Sequence, residues 1–192
     1  MTETRTHSLP RDAALIIIDV QKGFDDVRWG RRNSPNAELN ISRLLDAWRR
    51  TGRPIYHIQH RSRIRDSPLS PQSKGFEFKD IVEPDVGEPV IQKSVNSAFI
   101  GTDLEARLGQ SGIKTIVITG LTTDHCVSTT ARMAGNLGFN TFVVSDATAT
   151  FDRVGPDGVR HNAEDVQAIS LASLHEEFAT IIDTEGLLKR LK

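Results

Sequence analysis

Cysteine is nearly missing from this chain. Cys126 is the only one among 192 residues, which excludes an internal disulfide and fits a reducing, cytoplasmic setting. Long hydrophobic runs are missing too. The longest, Ala13 to Ile18, is far too short to cross a bilayer. The opening segment Met1-Thr-Glu-Thr-Arg-Thr-His-Ser8 is polar and has no apolar centre, so no secretory leader is expected. Neither sign of charge prevails: 24 Lys and Arg stand against 25 Asp and Glu, a net charge of −1. That balance gives no broad attraction to nucleic acid or to an anionic membrane. Repeats and low-complexity tracts are absent. The expectation is a single domain over residues 1–192, with its core at about 13–182 and enough chain to bury it.

What is present alternates. Ala13-Ala-Leu-Ile-Ile-Ile-Asp19 is a continuous apolar run ending in an acid, as suits a strand covered on both faces of a parallel sheet. A helical stretch follows, with Ser34 as a candidate cap, Pro35 near its start, an apolar stripe at Ile41, Leu44, Leu45 and Trp48, and Gly52 to end it. Further strands are predicted at Pro54–Gln59, Pro89–Lys93, Lys114–Thr119, Asn140–Ser145 and Ala179–Ile182. Thr102-Asp-Leu-Glu105 forms a capping box for a helix closing near Gly112. The helix carrying Cys126 runs to about Gly138. Asn162 caps another from Ala163 to Phe178, with Val166, Ile169, Leu174 and Phe178 as its apolar face. Strand–helix alternation of this kind predicts an α/β protein: a three-layer α/β/α, Rossmann-like fold with a mostly parallel sheet of about six strands. Residues 61–86 break the pattern, being rich in Pro, Ser, Gly and charge without periodicity, and read as a lid over a site or as disorder.

In such sheets ligands bind beyond the carboxyl ends of the strands. Asp19, His60, Lys93, Asp146 and the loop before Cys126 all fall there. An acid, an ammonium and a thiol at three strand ends suit an amide hydrolase. Asp19 would take the thiol proton, and Lys93 would favour the anionic form of both neighbours. A helix start after Gly120-Leu-Thr-Thr-Asp-His-Cys126 would lower the thiol pKa and offer N–H groups to an oxyanion. Each residue also has a plainer reading. A strand-end Asp is often a cap, an isolated Lys is usually a solvated charge, and a free Cys is often an inert small hydrophobe. Spacing alone does not bring the three together.

The runs Leu15-Ile-Ile-Ile-Asp-Val-Gln-Lys-Gly-Phe24, Ile91-Gln-Lys-Ser-Val-Asn-Ser-Ala-Phe99 and Gly120-Leu-Thr-Thr-Asp-His-Cys-Val-Ser-Thr-Thr-Ala131 resemble the isochorismatase-like cysteine hydrolase superfamily. The resemblance spans Ala13 to Ile182. Trp29-Gly-Arg-Arg-Asn33 and Leu171-Ala-Ser-Leu-His-Glu-Glu-Phe178 resemble its streptothricin hydrolase-like members. The family resemblance implies an Asp–Lys–Cys triad at Asp19, Lys93 and Cys126, a cis peptide at Leu121–Thr122, an oxyanion hole from the N–H groups of Thr122 and Cys126, and a homo-oligomer. Nicotinamidases of the family carry an Asp-x-His metal pair after the second strand. Tyr56-His-Ile-Gln-His-Arg61 lacks it, and His57 and His60 would face opposite ways, so neither metal nor cofactor is expected. Phe24, Trp29, His60, Phe99 and Phe151 are the candidate pocket residues for a small-molecule substrate, while His57 reads as a packed or surface histidine. The predicted activity is hydrolysis of an amide or related C–N bond through a thioester. The alternatives are isochorismatase-type vinyl-ether hydrolysis, which needs Asp19 but no thiol, and a non-catalytic binding or thiol-sensing role.

Overall fold

The computed structural model describes residues 8–191. Its central sheet has six strands: β1 (Ala14–Ile18), β2 (Ile55–His60), β3 (Val90–Lys93), β4 (Thr115–Leu121), β5 (Asn140–Ala149) and β8 (Thr180–Ile182). They lie in the order β3-β2-β1-β4-β5-β8, and every neighbouring pair is parallel. Two short strands, β6 (Arg153–Val154) and β7 (Arg160–His161), pair antiparallel as a separate hairpin. The helices are α1 (Ala37–Thr51), α2 (Leu104–Gln110), α3 (Ser128–Asn136), α4 (Ala163–Leu174) and α5 (Thr184–Leu188).

The pleat divides the core in two. On β1, Leu15 and Ile17 point into one cluster with Ile41, Leu44, Leu45 and Trp48 of α1 and Leu187 of α5. Ala14, Ile16 and Ile18 point into the other, with Leu104 and Leu108 of α2, Ala131 and Ala134 of α3 and Leu174 of α4. All five β1 residues are buried, which is why the run shows no polar alternation. Burying one Leu or Ile side chain is worth about 1.5–3 kcal/mol, so the paired clusters hold the sheet from both sides. Trp48 also needs a partner for its ring N–H, and donates it to the Ala13 carbonyl at 2.9 Å. Gly52 ends α1 at φ 64°, a left-handed turn that glycine makes without a Cβ penalty.

Three boundaries differ from the sequence reading. The first helix begins at Ala37 rather than near Pro35, with Asn36 in the cap position. β5 continues past Ser145 to Ala149, because a register shift opposite Ile118 and Gly120 lets it pair with β4 again. Asp146 is therefore inside β5, not at a strand end. Its carboxylate accepts from the N–H and hydroxyl of Thr184, both at 2.8 Å, and serves structure. Helix α4 stops at Leu174, since Glu176 turns left-handed at φ 67°. Its buried residues are Ala163, Gln167 and Leu174, and Ile169 is 69% exposed, so the expected apolar face is rotated. Gln167 faces inward because its amide donates to the Ser145 carbonyl at 3.0 Å and the Thr148 hydroxyl at 3.0 Å.

Residues 61–86 are irregular but seated. Two short turns, Lys74–Phe76 and Asp80–Val82, bracket a stretch whose backbone bonds the loop after β1: Lys22 N–H to Glu77 O at 2.9 Å and Lys79 N–H to Val20 O at 3.0 Å. Gly23 and Gly75 make the approach possible. A Cβ on Gly75 would stand 2.3 Å from Pro68 O and 2.6 Å from Gly23 Cα, well inside contact distance.

Candidate active site

The strand order reverses between β1 and β4. Chains leaving those two strands diverge, and the crevice between them is where an open parallel sheet places its ligand. Asp19 follows β1 directly and adopts φ 53°, a left-handed conformation that Asp tolerates better than most residues. Its N–H donates to Ile58 O at 2.9 Å, and its side chain is fully buried. Gly120 allows the close passage of β4 beside it: a Cβ there would lie 2.0 Å from Ile18 O.

Lys93, at the end of β3, is paired in register with His60 at the end of β2. Its ammonium has four neighbours: Asp19 Oδ2 at 2.6 Å, His60 Nδ1 at 3.0 Å, Val95 O at 3.2 Å and Cys126 Sγ at 3.2 Å. An acid, an ammonium and a thiol from the ends of three strands thus meet in one buried cluster. Asp19 Oδ1 has no hydrogen-bond partner among the described residues. Cys126 lies in a wide turn over Thr123–Val127 that precedes α3, and Leu121–Thr122 is cis.

The electrostatics correct one expectation. The Cys126 thiol is pushed up, not down: burial is the largest cause, the Asp19 carboxylate adds to it, and the Lys93 ammonium offsets only part. The resting sulfur therefore keeps its proton. Lys93 is opposed by burial, yet the Asp19 carboxylate, with the hydrogen bonds to Asp19 and Cys126, carries its pKa upward, so it stays an ammonium. His60 is held down by burial and by Lys93, which leaves its Nδ1 free to accept. Ligand atoms of Asp19, His60 and Cys126 lie within 4.8 Å of one another, a spacing a cation could use. The Lys93 ammonium already binds all three, so this donor set fits a metal poorly. His57 faces the other side of β2, fully buried, with Nε2 at 2.7 Å from Glu88 Oε2.

Phe24, Trp29 and Phe151 come together, with ring centroids 5.2, 6.2 and 5.7 Å apart. The Trp29 ring N–H donates to Gly23 O at 2.8 Å. Phe24 and Phe151 line a groove of about 590 Å³ whose other walls include Asp25, Arg32, Glu38 and Lys79, so it is more charged than the aromatic residues alone suggested. Phe99 is not part of this trio. It stacks on Phe139 at 5.8 Å within the cluster on the opposite face of the sheet. His60, expected as a pocket residue, stands against Lys93.

Two supports escape a reading of the sequence alone. Gln21 is fully buried and clamps three segments, donating to His60 O at 3.1 Å and Phe76 O at 2.9 Å and accepting from His60 N–H at 2.8 Å. Asp124, two residues before Cys126, accepts from Thr150 Oγ1 at 2.6 Å and Arg153 Nε at 2.7 Å. Burial works against its charge, but these donors hold its pKa below the usual carboxylate range. Asp124 thereby pins the cysteine turn to the end of β5. Both are visible as polar residues inside the quoted motifs, but their partners are remote in sequence.

Fold and cluster together define a hydrolase on a three-layer, parallel-sheet scaffold with a buried Asp–Lys–Cys site. The chain belongs to the isochorismatase family: the Isochorismatase domain model matches residues 13–186. It is 53% identical over 175 residues to the isochorismatase family protein YrdC of Bacillus subtilis, covering 91% of this chain and 94% of that one. Streptothricin hydrolase of Streptomyces noursei is 33% identical over 142 residues, 72% of this chain and 50% of its own length. The isochorismatase-family crystal structure from Chromobacterium violaceum superposes with a TM-score of 0.93 at 42% identity, covering 96% of each chain. Among the described residues no helix is long and apolar enough to cross a membrane.

Proposed function

We propose that this hydrolase cleaves an amide or related C–N bond of a small molecule through a thioester on Cys126. The observation that carries the reading is the buried ammonium of Lys93, 2.6 Å from Asp19 and 3.2 Å from the Cys126 sulfur. A protonated thiol needs a base at the moment of attack, and the unpartnered Oδ1 of Asp19 supplies one. As the proton moves to Asp19, the sulfur bonds the substrate carbonyl carbon and the C=O electrons move onto oxygen. The N–H groups of Thr122 and Cys126 receive that oxyanion, each worth about 3–4 kcal/mol. Collapse expels the nitrogen, which takes the proton from Asp19. Asp19 then removes a proton from water as its oxygen attacks the thioester, and the returning proton restores the thiol. Lys93 stays charged throughout and balances whichever neighbour is the anion.

The reading extends to a cytoplasmic, self-associating enzyme that needs neither metal nor cofactor, with support from the lone cysteine and from the ammonium already held among the metal-like donors. The test is a panel of small amides, ureides and lactams with wild type and Cys126→Ser, quenched in acid and weighed intact. A substrate-derived acyl mass on the wild type, with turnover lost in the variant, is the expected result. Turnover of a vinyl-ether substrate added to the panel that survives Cys126→Ser but fails in Asp19→Asn, with no amide turned over, would replace the thioester with the vinyl-ether route.

A further inference from the structure

Beside the triad lies a groove whose chemistry the cleavage reaction leaves unexplained. It has a volume of about 640 Å³ and is lined by Arg61, Arg63, Arg65, Ser62, Gln72 and Ser94, with no carboxylate in its wall. Arg61 directly follows His60, and Ser94 directly follows Lys93. The groove therefore opens at the same carboxyl edge of the sheet, one residue beyond two members of the catalytic cluster. Its placement is fixed by backbone: Arg61 N–H donates to Lys93 O at 2.7 Å. Arg63 is further tied to this edge by Nε and Nη2, which donate to Ser94 Oγ at 3.1 and 2.8 Å.

Three guanidinium groups sharing one groove repel each other and focus a positive field. Several arginines elsewhere, Arg28, Arg31, Arg32, Arg49 and Arg153 among them, each form an ion pair. Arg61, Arg63 and Arg65 form none among the described residues. Only the Arg63 guanidinium is held, and by a neutral hydroxyl, while Arg61 and Arg65 are exposed; a guanidinium left without a counter-ion suits a carboxylate, which it can grip with two parallel N–H bonds.

We propose that this groove binds a carboxylate of the substrate, so that the molecule opened at Cys126 is an anionic amide rather than a neutral one. The inference rests on the thiol chemistry proposed above and adds the substrate class. The single cysteine offers a test that needs no known substrate. Iodoacetate and iodoacetamide alkylate the same sulfur, losing iodide as the C–S bond forms, and differ in carrying a carboxylate or a neutral amide. Rates with both reagents are measured by intact mass at about pH 8.5, where an ordinary cysteine thiol is half ionised, for wild type and for the Arg61→Gln/Arg63→Gln/Arg65→Gln variant. The attraction of Lys93 for iodoacetate is common to both proteins and cancels in the comparison. The iodoacetate-to-iodoacetamide rate ratio should fall about tenfold in the variant, as expected for loss of steering and charge-assisted contacts. Added salt should lower the ratio more in the wild type than in the variant. Should the triple variant fail to fold, Arg63→Gln should show about a threefold fall by the same reasoning. An unchanged ratio, with both reagents still reacting, overturns the carboxylate groove and leaves the thiol chemistry standing. Failure of iodoacetate alone overturns the groove, and failure of both reagents to modify Cys126 in the wild type overturns the nucleophile itself, and the groove's role with it.

Discussion

Lys93→Met tests the central ion pair directly. Both partners are fully buried, with 0% side-chain exposure and a 2.6 Å separation. Methionine keeps the apolar stem and removes the charge, leaving Asp19 without its counter-ion. Breaking one side of a buried pair costs about 3–5 kcal/mol, and about 2–4 °C per kcal/mol is expected for a chain of this size. The melting temperature should therefore fall by roughly 6–20 °C. Asp19→Asn should cost a similar amount by stranding the ammonium, while the left-handed backbone at φ 53° is one that Asn accepts readily. The double variant strands neither charge. Its loss should be no larger than either single loss, about 3–5 kcal/mol, instead of the sum. Urea denaturation of all four proteins at neutral pH closes the cycle. Losses that add to within about 0.5 kcal/mol would mean the two side chains do not sense each other, and the site as described would be wrong.

Cys126 should alkylate slowly for a free cysteine at neutral pH. Its iodoacetamide rate should keep rising with pH above about 8.5, where an ordinary thiol begins to level off, because burial and Asp19 raise its pKa. Full modification under mildly acidic conditions would refute that direction. Glu38 gives a stability prediction. Burial opposes its charge, but Arg32 and Lys79 overcome this and hold its pKa at about 2. A depressed carboxylate stabilises above its unfolded pKa and loses that contribution as pH falls. Wild type should thus exceed Glu38→Gln by about 3 kcal/mol, from 1.36 kcal/mol per pKa unit. The gap should close as pH drops from 4.5, the ordinary glutamate value, to about 2, as followed by thermal melts at several pH values.

Much of this molecule is readable from its residues. β1 and β4 declare themselves because runs covered on both faces leave no polar alternation, and α1 does so because Ile41, Leu44, Leu45 and Trp48 share one stripe. The triad can be picked out as strand-end polar groups, but its meeting depends on strand order, which local pattern does not encode. His60 reads as a strand-end pocket residue, while its contact with Lys93 comes from the β2–β3 register, which is likewise not encoded locally. The thiol misleads for a related reason. A helix start lowers a thiol pKa when solvent is near, whereas here Cys126 is 7% exposed and faces a carboxylate. The 61–86 segment lacks periodicity because its contacts are backbone to backbone across two glycines, and such contacts leave no hydrophobic rhythm.

An ammonium carries only three hydrogens, and the Lys93 nitrogen stands amid four takers. One neighbour always goes short, and a neutral thiol, a poor acceptor, is the natural one to do so. In the proposed reaction its proton crosses to the carboxylate, and that ranking inverts. The same cation can then swing toward the new sulfur anion by turning about its last carbon–nitrogen bond, with the rest of the side chain still. A single tethered counter-ion thus follows the negative charge across the reaction, and the interior need never open to recruit one from solution.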